Sequence, residues 1–299
     1  MRRLVPPEAS EEYLDLDGGR VRVLTGGETD RRPVLLLHGG SIDNAAVSWY
    51  RLFAPLSGDC RVAAPDLPGF GATSGIEPVG GPADQADFVA RVMDRLRLAE
   101  AVVIGVSMGG DVALNLALRH PRRVRALVLV APGGLIPAIA NPVAHTASWL
   151  SMQLPDRLLL GAVNLANRFV RIALRAVVHD PATLPEEVVA EVGREALRPN
   201  AGIGYLRYNQ ACIGRREMRN NLLPVVDRIT VPALFFHGES DPLVPPEGSR
   251  RAAALMPDAR LVLVPECGHW AQLEAPGRFE AEVTEFLTAL DRGGPRMAE

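Results

Sequence analysis

The run Val102-Val103-Ile104-Gly105-Val106-Ser107-Met108-Gly109-Gly110 leaves a chain few ways to fold around it. The β-branched residues before Gly105 favour a buried strand, while Asp111 to Arg119 has helical spacing and no proline. The pattern predicts a strand, a sharp turn and a helix, with Gly-x-Ser-x-Gly at the turn. A serine at such a corner takes a cramped backbone conformation, and Gly105 and Gly109 remove Cβ atoms where strand and helix cross closely. Its hydroxyl is then pushed out above the sheet. The Met108 amide stands free at the helix N-terminus, where it can donate to a developing oxyanion near the positive end of the helix dipole. The alternative is an ordinary glycine-containing connection with an incidental serine, so the partners of Ser107 must decide.

A serine hydroxyl needs a base within hydrogen-bond reach and a third group to orient that base. In this setting acid and histidine should follow the serine in that order. Asp241 follows the apolar run Pro232-Ala233-Leu234-Phe235-Phe236 in His237-Gly238-Glu239-Ser240-Asp241-Pro242, with Glu239 a nearby rival. His269 follows the run Leu261 to Val264 in Cys267-Gly268-His269-Trp270-Ala271-Gln272. Both therefore sit beyond the carboxyl ends of predicted strands, where open parallel sheets place their sites. His38-Gly39-Gly40-Ser41 closes another buried run, Pro33 to Leu37, and offers Gly40 as a second oxyanion donor beside Met108. Among the other histidines, His120 reads as a helix end, His145 and His179 fall in the middle third, and His237 ends a strand. They form no metal-ligand spacing, so neither metal nor cofactor is expected.

Alternation of strand and helix continues on both sides of the serine. Residues 13–24 predict a β-hairpin turned at Gly18-Gly19, followed by strands at 33–37, 61–64, 101–104 and 124–130, with helices near 49–56, 83–98 and 111–119. Alternation of this kind implies right-handed crossovers and a mostly parallel sheet. After Ala131-Pro132-Gly133-Gly134 the rhythm changes to helical segments interrupted by prolines, with no convincing strand until Pro232. The predicted division is a core over 1–133, a helical cap over 134–227 and the rest of the core over 228–299, with a frayed tail at 292–299. Leu158 to Val178 reads as one amphipathic helix with Asn164, Arg168, Arg171 and Arg175 on one face, so it is not expected to span a membrane.

A formal net charge of -3 gives no sign of a nucleic-acid partner, and three scattered cysteines favour a reducing compartment over a disulfide framework. No signal-peptide core follows Arg2 and Arg3, so the cytoplasm is the expected location.

The landmarks His38-Gly39-Gly40, Asp66-Leu67-Pro68-Gly69-Phe70-Gly71, Gly105-Val106-Ser107-Met108-Gly109-Gly110, His237-Gly238-Glu239-Ser240-Asp241 and Gly268-His269 resemble those of the α/β-hydrolase fold with a helical cap. Within that fold, Cys267 to Gln272 and Ala131-Pro132-Gly133-Gly134-Leu135 are similar to the meta-cleavage-product hydrolases, which break a carbon–carbon bond in dienoic acids. The match is partial. That group usually has Asn where this chain has Val106, and a Gly-Pro-Gly-rich loop where it has Ser41-Ile42-Asp43-Asn44. Arg194 is a candidate for the group's substrate-carboxylate arginine, but it reads first as an ordinary exposed helical arginine.

These observations predict acyl transfer to water through Ser107, His269 and Asp241, most simply on an ester with a hydrophobic acid or alcohol. Ser41, Val106, Trp149 and Trp270 are the candidate substrate-lining residues. Carbon–carbon hydrolysis by the same triad is the first alternative, and a ligand-binding protein on a retained scaffold the second. Dehalogenase and epoxide hydrolase chemistry would need a carboxylate at 107. The expected partners are a small hydrophobic substrate and water, with a homodimer left open.

Overall fold

In a computed structural model, which describes residues 3–78 and 80–292, eight strands form a single sheet. The hairpin is β1 (Ser10–Leu16) and β2 (Gly19–Gly26), antiparallel to each other and to β4. There follow β3 (Arg32–Leu37), α1 (Ala45–Ser48), α2 (Phe53–Ser57), β4 (Cys60–Pro65), α3 (Pro82–Arg95), β5 (Ala101–Val106), α4 (Met108–Arg119) and β6 (Val124–Val130). Five helices intervene before the sheet resumes: α5 (Pro142–Ser151), α6 (Asp156–Asn167), α7 (Val170–Leu174), α8 (Glu186–Ala196) and α9 (Ile203–Cys212). The chain ends with β7 (Ala233–Gly238), α10 (Glu247–Leu255), β8 (Ala259–Val264), α11 (Ala271–Glu274) and α12 (Pro276–Asp291). The strand order is β1-β2-β4-β3-β5-β6-β7-β8, and every pairing from β4 onward in that order is parallel. This is the expected mostly parallel sheet with an antiparallel edge.

Strand β5 lies at the centre and is buried throughout, as its apolar run requires. Its side chains alternate between two cores. Val103 joins Leu35, Leu37, Leu127 and Phe235 on one face, whereas Val102, Ile104 and Val106 join Leu36, Val128 and Phe236 on the other. A third cluster joins the inserted helices to the core: Leu174, Val178, Val188 and Val192 pack on Val47, Trp270 and Leu273.

Two helices differ from the sequence expectation, and the tail expected at 292–299 lies outside the described residues beyond Arg292. The helix expected near 49–56 is two short ones, because Asn44 caps α1 by accepting from the Val47 amide and the chain turns between Trp49 and Leu52 before α2. The single amphipathic helix expected over 158–178 breaks at Arg168-Phe169, where the Arg168 and Phe169 amides reach carbonyls three residues back. That tightened turn ends α6, and the separate helix α7 takes up a place over the sheet's carboxyl edge. Among the described residues no helix is long and apolar enough to cross a membrane.

Candidate active site

Ser107 occupies the corner between β5 and α4 with φ 53° and ψ -117°, a region side-chain-bearing residues rarely enter. Neighbouring backbone holds it there: its amide donates to the Val130 carbonyl at 2.9 Å and its carbonyl accepts from the Gly133 amide at 2.8 Å. The glycines meet the steric demand read from sequence. A Cβ on Gly105 would lie 2.4 Å from the Gly109 carbonyl oxygen, and one on Gly109 would lie 2.2 Å from that of Leu37. Met108 begins α4, so its amide precedes the first intrahelical bonds.

Asp241 and His269 meet beyond the ends of β7 and β8. The His269 Nδ1–H donates to Asp241 Oδ2 at 2.7 Å, while Asp241 Oδ1 accepts from the Leu243 and Val244 amides at 2.8 and 2.9 Å. Burial pushes the Asp241 carboxyl up, but hydrogen bonds from His237 and His269, the charge of His269 and the Val244 amide outweigh it. The group therefore lies well below its ordinary range and stays ionised. The rival Glu239 is exposed and forms no hydrogen bond with His269 among the described residues.

The second imidazole on Asp241 was read from sequence only as a strand end. His237 is fully buried, its Nε2–H shared between Asp241 Oδ2 at 3.2 Å and the Val244 carbonyl at 3.0 Å, with Nδ1 against Ser249 Oγ at 2.8 Å. It positions the acid. The four-residue spacing to Asp241 was the available signal, but a loop separates the two and periodicity says nothing about a loop.

On the opposite wall, the loop after β3 is pinned by two buried side chains. The Leu67 amide donates to His38 Nε2 at 3.0 Å, so the ring proton sits on Nδ1 and is donated to the Gly39 carbonyl at 2.7 Å. In a trans peptide the N–H lies opposite the C=O, so the Gly40 N–H points away from His38. The Gly39 amide is already occupied by Asp43 Oδ2 at 2.9 Å, a carboxyl that also holds Ser48 Oγ at 2.6 Å. Gly40 is thus the glycine of this pair with its donor to spare. Burial raises the Asp43 carboxyl in spite of these bonds.

A cavity of about 120 Å³ lies between these walls, bounded by Gly40, Ser41, Ser107, His269 and Trp270 and roofed by Val170, Leu174 and Val177 from the inserted helices. Tyr205 of α9, missed in the sequence, also lines it. Ser107 and His269 share this space, yet among the described residues the Ser107 hydroxyl forms no hydrogen bond. Catalytic hydrogen bonds are often long or unmade in unliganded sites.

Two sequence expectations fail here. Val106 does not touch the cavity, because the alternation of β5 turns it into the core on the far face. Trp149 lies on α5, half-buried, with the Arg215 guanidinium 5.8 Å from its ring centre, and is no part of the lining. The candidate Arg194 pairs with Glu191 in a groove beside Arg3 and Leu4, away from the cavity, as an ordinary helical arginine would.

A buried carboxylate ties the elbow helix to the inserted segment. Asp111 accepts from the Tyr208 hydroxyl of α9 at 2.7 Å, Asn220 Nδ2 at 2.6 Å and Asn115 Nδ2 at 2.9 Å. Burial nevertheless pushes its pKa up to about 6. The folded chain then keeps a proton that an unfolded aspartate releases near pH 4, so this group's contribution to stability falls as pH rises from about 4 to about 6, by on the order of 2–3 kcal/mol, and is level above. Asp111→Asn should flatten that stretch of a plot of urea midpoint against pH. A slope identical to the parent's would assign the effect to another group.

A central parallel sheet, a strained serine at the strand-to-helix corner, and a histidine paired with aspartate beyond the next strands define an α/β-hydrolase-type enzyme. The chain belongs to the alpha/beta hydrolase family, whose sequence pattern matches residues 34–282. It is similar to 2-hydroxymuconate semialdehyde hydrolase of Pseudomonas putida, 31% identical over 95% of this chain and 96% of that protein. It is 29% identical to 2-hydroxy-6-oxo-6-phenylhexa-2,4-dienoate hydrolase of Burkholderia cepacia over 85% of this chain and 87% of that one. Among solved structures, the hydrolase of the same substrate name from Rhodococcus superposes with a TM-score of 0.77 at 26% identity, covering 94% of this chain and 99% of that chain. A Bacillus subtilis carboxylesterase shares the fold, with a TM-score of 0.74 at 23% identity over 94% of this chain and 92% of that chain.

Proposed function

We propose that the protein hydrolyses a small ester of an apolar acid, with residues 134–227 as a cap over a core of 1–133 and 228–299. Ser107 Oγ attacks the acyl carbonyl as His269 Nε2 takes its proton, and Asp241 holds the imidazole with the other ring proton on Nδ1. The Gly40 and Met108 amides receive the oxyanion. Collapse expels the alcohol, which takes the proton from His269 and leaves an acyl-serine. Water then attacks that acyl carbon, giving its proton to His269, and the acid departs as Ser107 is reprotonated.

The observation that carries the ester reading is the wall of the cavity. Val170, Leu174, Val177, Val192, Leu243 and Trp270 supply its apolar surface, and none of the described lining residues is Lys or Arg. Its one carboxyl, Asp43, already accepts from the Gly39 amide and Ser48 Oγ, so the described lining offers no cationic side chain to hold a carboxylate substrate. All three cysteines are buried and free, which supports a reducing compartment such as the cytoplasm.

Carbon–carbon hydrolysis is the second reading, and the names of the relatives favour it at least as strongly as the ester. There the same serine would attack the ketone of a dienoate, whose carboxylate would have to rest on Ser41 or on backbone amides. Assaying p-nitrophenyl esters of increasing acyl length beside 2-hydroxy-6-oxo-6-phenylhexa-2,4-dienoate separates the two. The ester reading expects the higher kcat/KM for a short or medium acyl ester, by about tenfold or more, equivalent to about 1.4 kcal/mol of transition-state preference. The opposite preference would replace it with carbon–carbon cleavage.

A further inference from the structure

The outward side of the inserted helices is apolar where a solvent-facing helix is normally polar. On α6 the buried Leu159 and Asn167 lie with the half-buried Leu160 and Val163 on one stripe, and the exposed Leu158, Ala162 and Leu165 occupy the opposite one. Leu158 and Leu165 are 56% and 59% exposed, and beyond the break Phe169 and Ile172 are 59% and 67% exposed. Leu150 and Leu154 extend the same character back through α5 and the following turn. The charges interleaved with this surface have one sign. Between residues 142 and 178 the sequence carries Arg157, Arg168, Arg171 and Arg175 against a single acid, Asp156, which is already paired with Arg207. The four arginines are exposed and form no ion pair or hydrogen bond among the described residues.

We propose that this face, centred on Leu165, Phe169 and Ile172 and flanked by Arg168, Arg171 and Arg175, docks the protein on an anionic phospholipid surface. Apolar side chains enter the boundary between headgroups and acyl chains while guanidinium groups remain among the phosphates, which suits an amphipathic segment lying in the interface plane. A second copy of the chain is the competing occupant, but a two-fold contact would set arginine clusters against each other. Position adds a consequence: Val170, Ala173, Leu174 and Val177 line the catalytic cavity from the same stretch of chain that carries Phe169 and Ile172 outward. The docked face and the cavity roof are two sides of one short helix.

The test is sedimentation of the full chain with sucrose-loaded vesicles of phosphatidylcholine alone or with roughly one-third phosphatidylglycerol. Binding to the anionic vesicles is expected, weaker by about tenfold on neutral vesicles or when salt is raised from about 0.1 M to about 1 M. Leu165→Asp with Phe169→Asp should abolish it, and Arg168→Gln with Arg171→Gln and Arg175→Gln should remove the preference for anionic lipid. Both variants should keep the parent's melting temperature and circular dichroism, which separates loss of docking from loss of fold without reference to any substrate. Three results would overturn the proposal: no binding to either vesicle, equal binding to both, or a concentration-dependent dimer that the aspartate pair dissociates.

Discussion

Ser107→Ala should lower turnover of a short-chain p-nitrophenyl ester by about 10⁶, equivalent to about 8 kcal/mol of transition-state stabilisation, and abolish labelling by a fluorophosphonate. The size follows from what the serine does, since without its oxygen no acyl-enzyme forms and only binding and the oxyanion donors remain. Stability should hardly move. The strain at φ 53° belongs to the backbone and is shared by alanine, and the hydroxyl gives up no hydrogen bond among the described residues. An unchanged melting temperature with lost labelling is therefore the expected pair of results. Labelling that persists in Ser107→Ala would place the nucleophile elsewhere.

The parts of this architecture legible in the sequence are those that local chemistry dictates. Apolar runs at β3, β5, β6 and β7 announce strands covered on both faces, and the glycines at 105 and 109 announce a close crossing whatever lies around them. His269 and Asp241 stand out in the sequence because each follows such a strand. What was not legible depends on partners distant in the chain. Asp43 looks like any loop aspartate until Gly39 and Ser48 converge on it, and Asp111 like any helical acid until Tyr208 and Asn220 arrive from about a hundred residues away. Val106 was misplaced for a simpler reason. Proximity to Ser107 in sequence suggested proximity to substrate, but a strand sends alternate side chains to opposite faces.

Asp241→Asn should reduce kcat by about 10⁴ with the fold intact, because the surroundings dictate how the new amide must lie. The Leu243 and Val244 amides both donate to Oδ1 and would hold the asparagine oxygen there. Its NH₂ group is then directed at the two imidazoles that now donate to Oδ2. His269 would have to present an unprotonated Nδ1, which moves the remaining ring proton to Nε2, the atom that should accept from Ser107. The base would be present and in place but in the wrong tautomer. The same substitution removes a charge whose folded pKa is depressed, so it also removes a contribution to stability that is present above about pH 4 and lost as pH falls below it. Burst kinetics with an activated ester would localise the defect to acylation. A variant that acylates at the parent's rate would show that His269 keeps its working tautomer without the carboxylate, and Asp241 would then lose its assigned role.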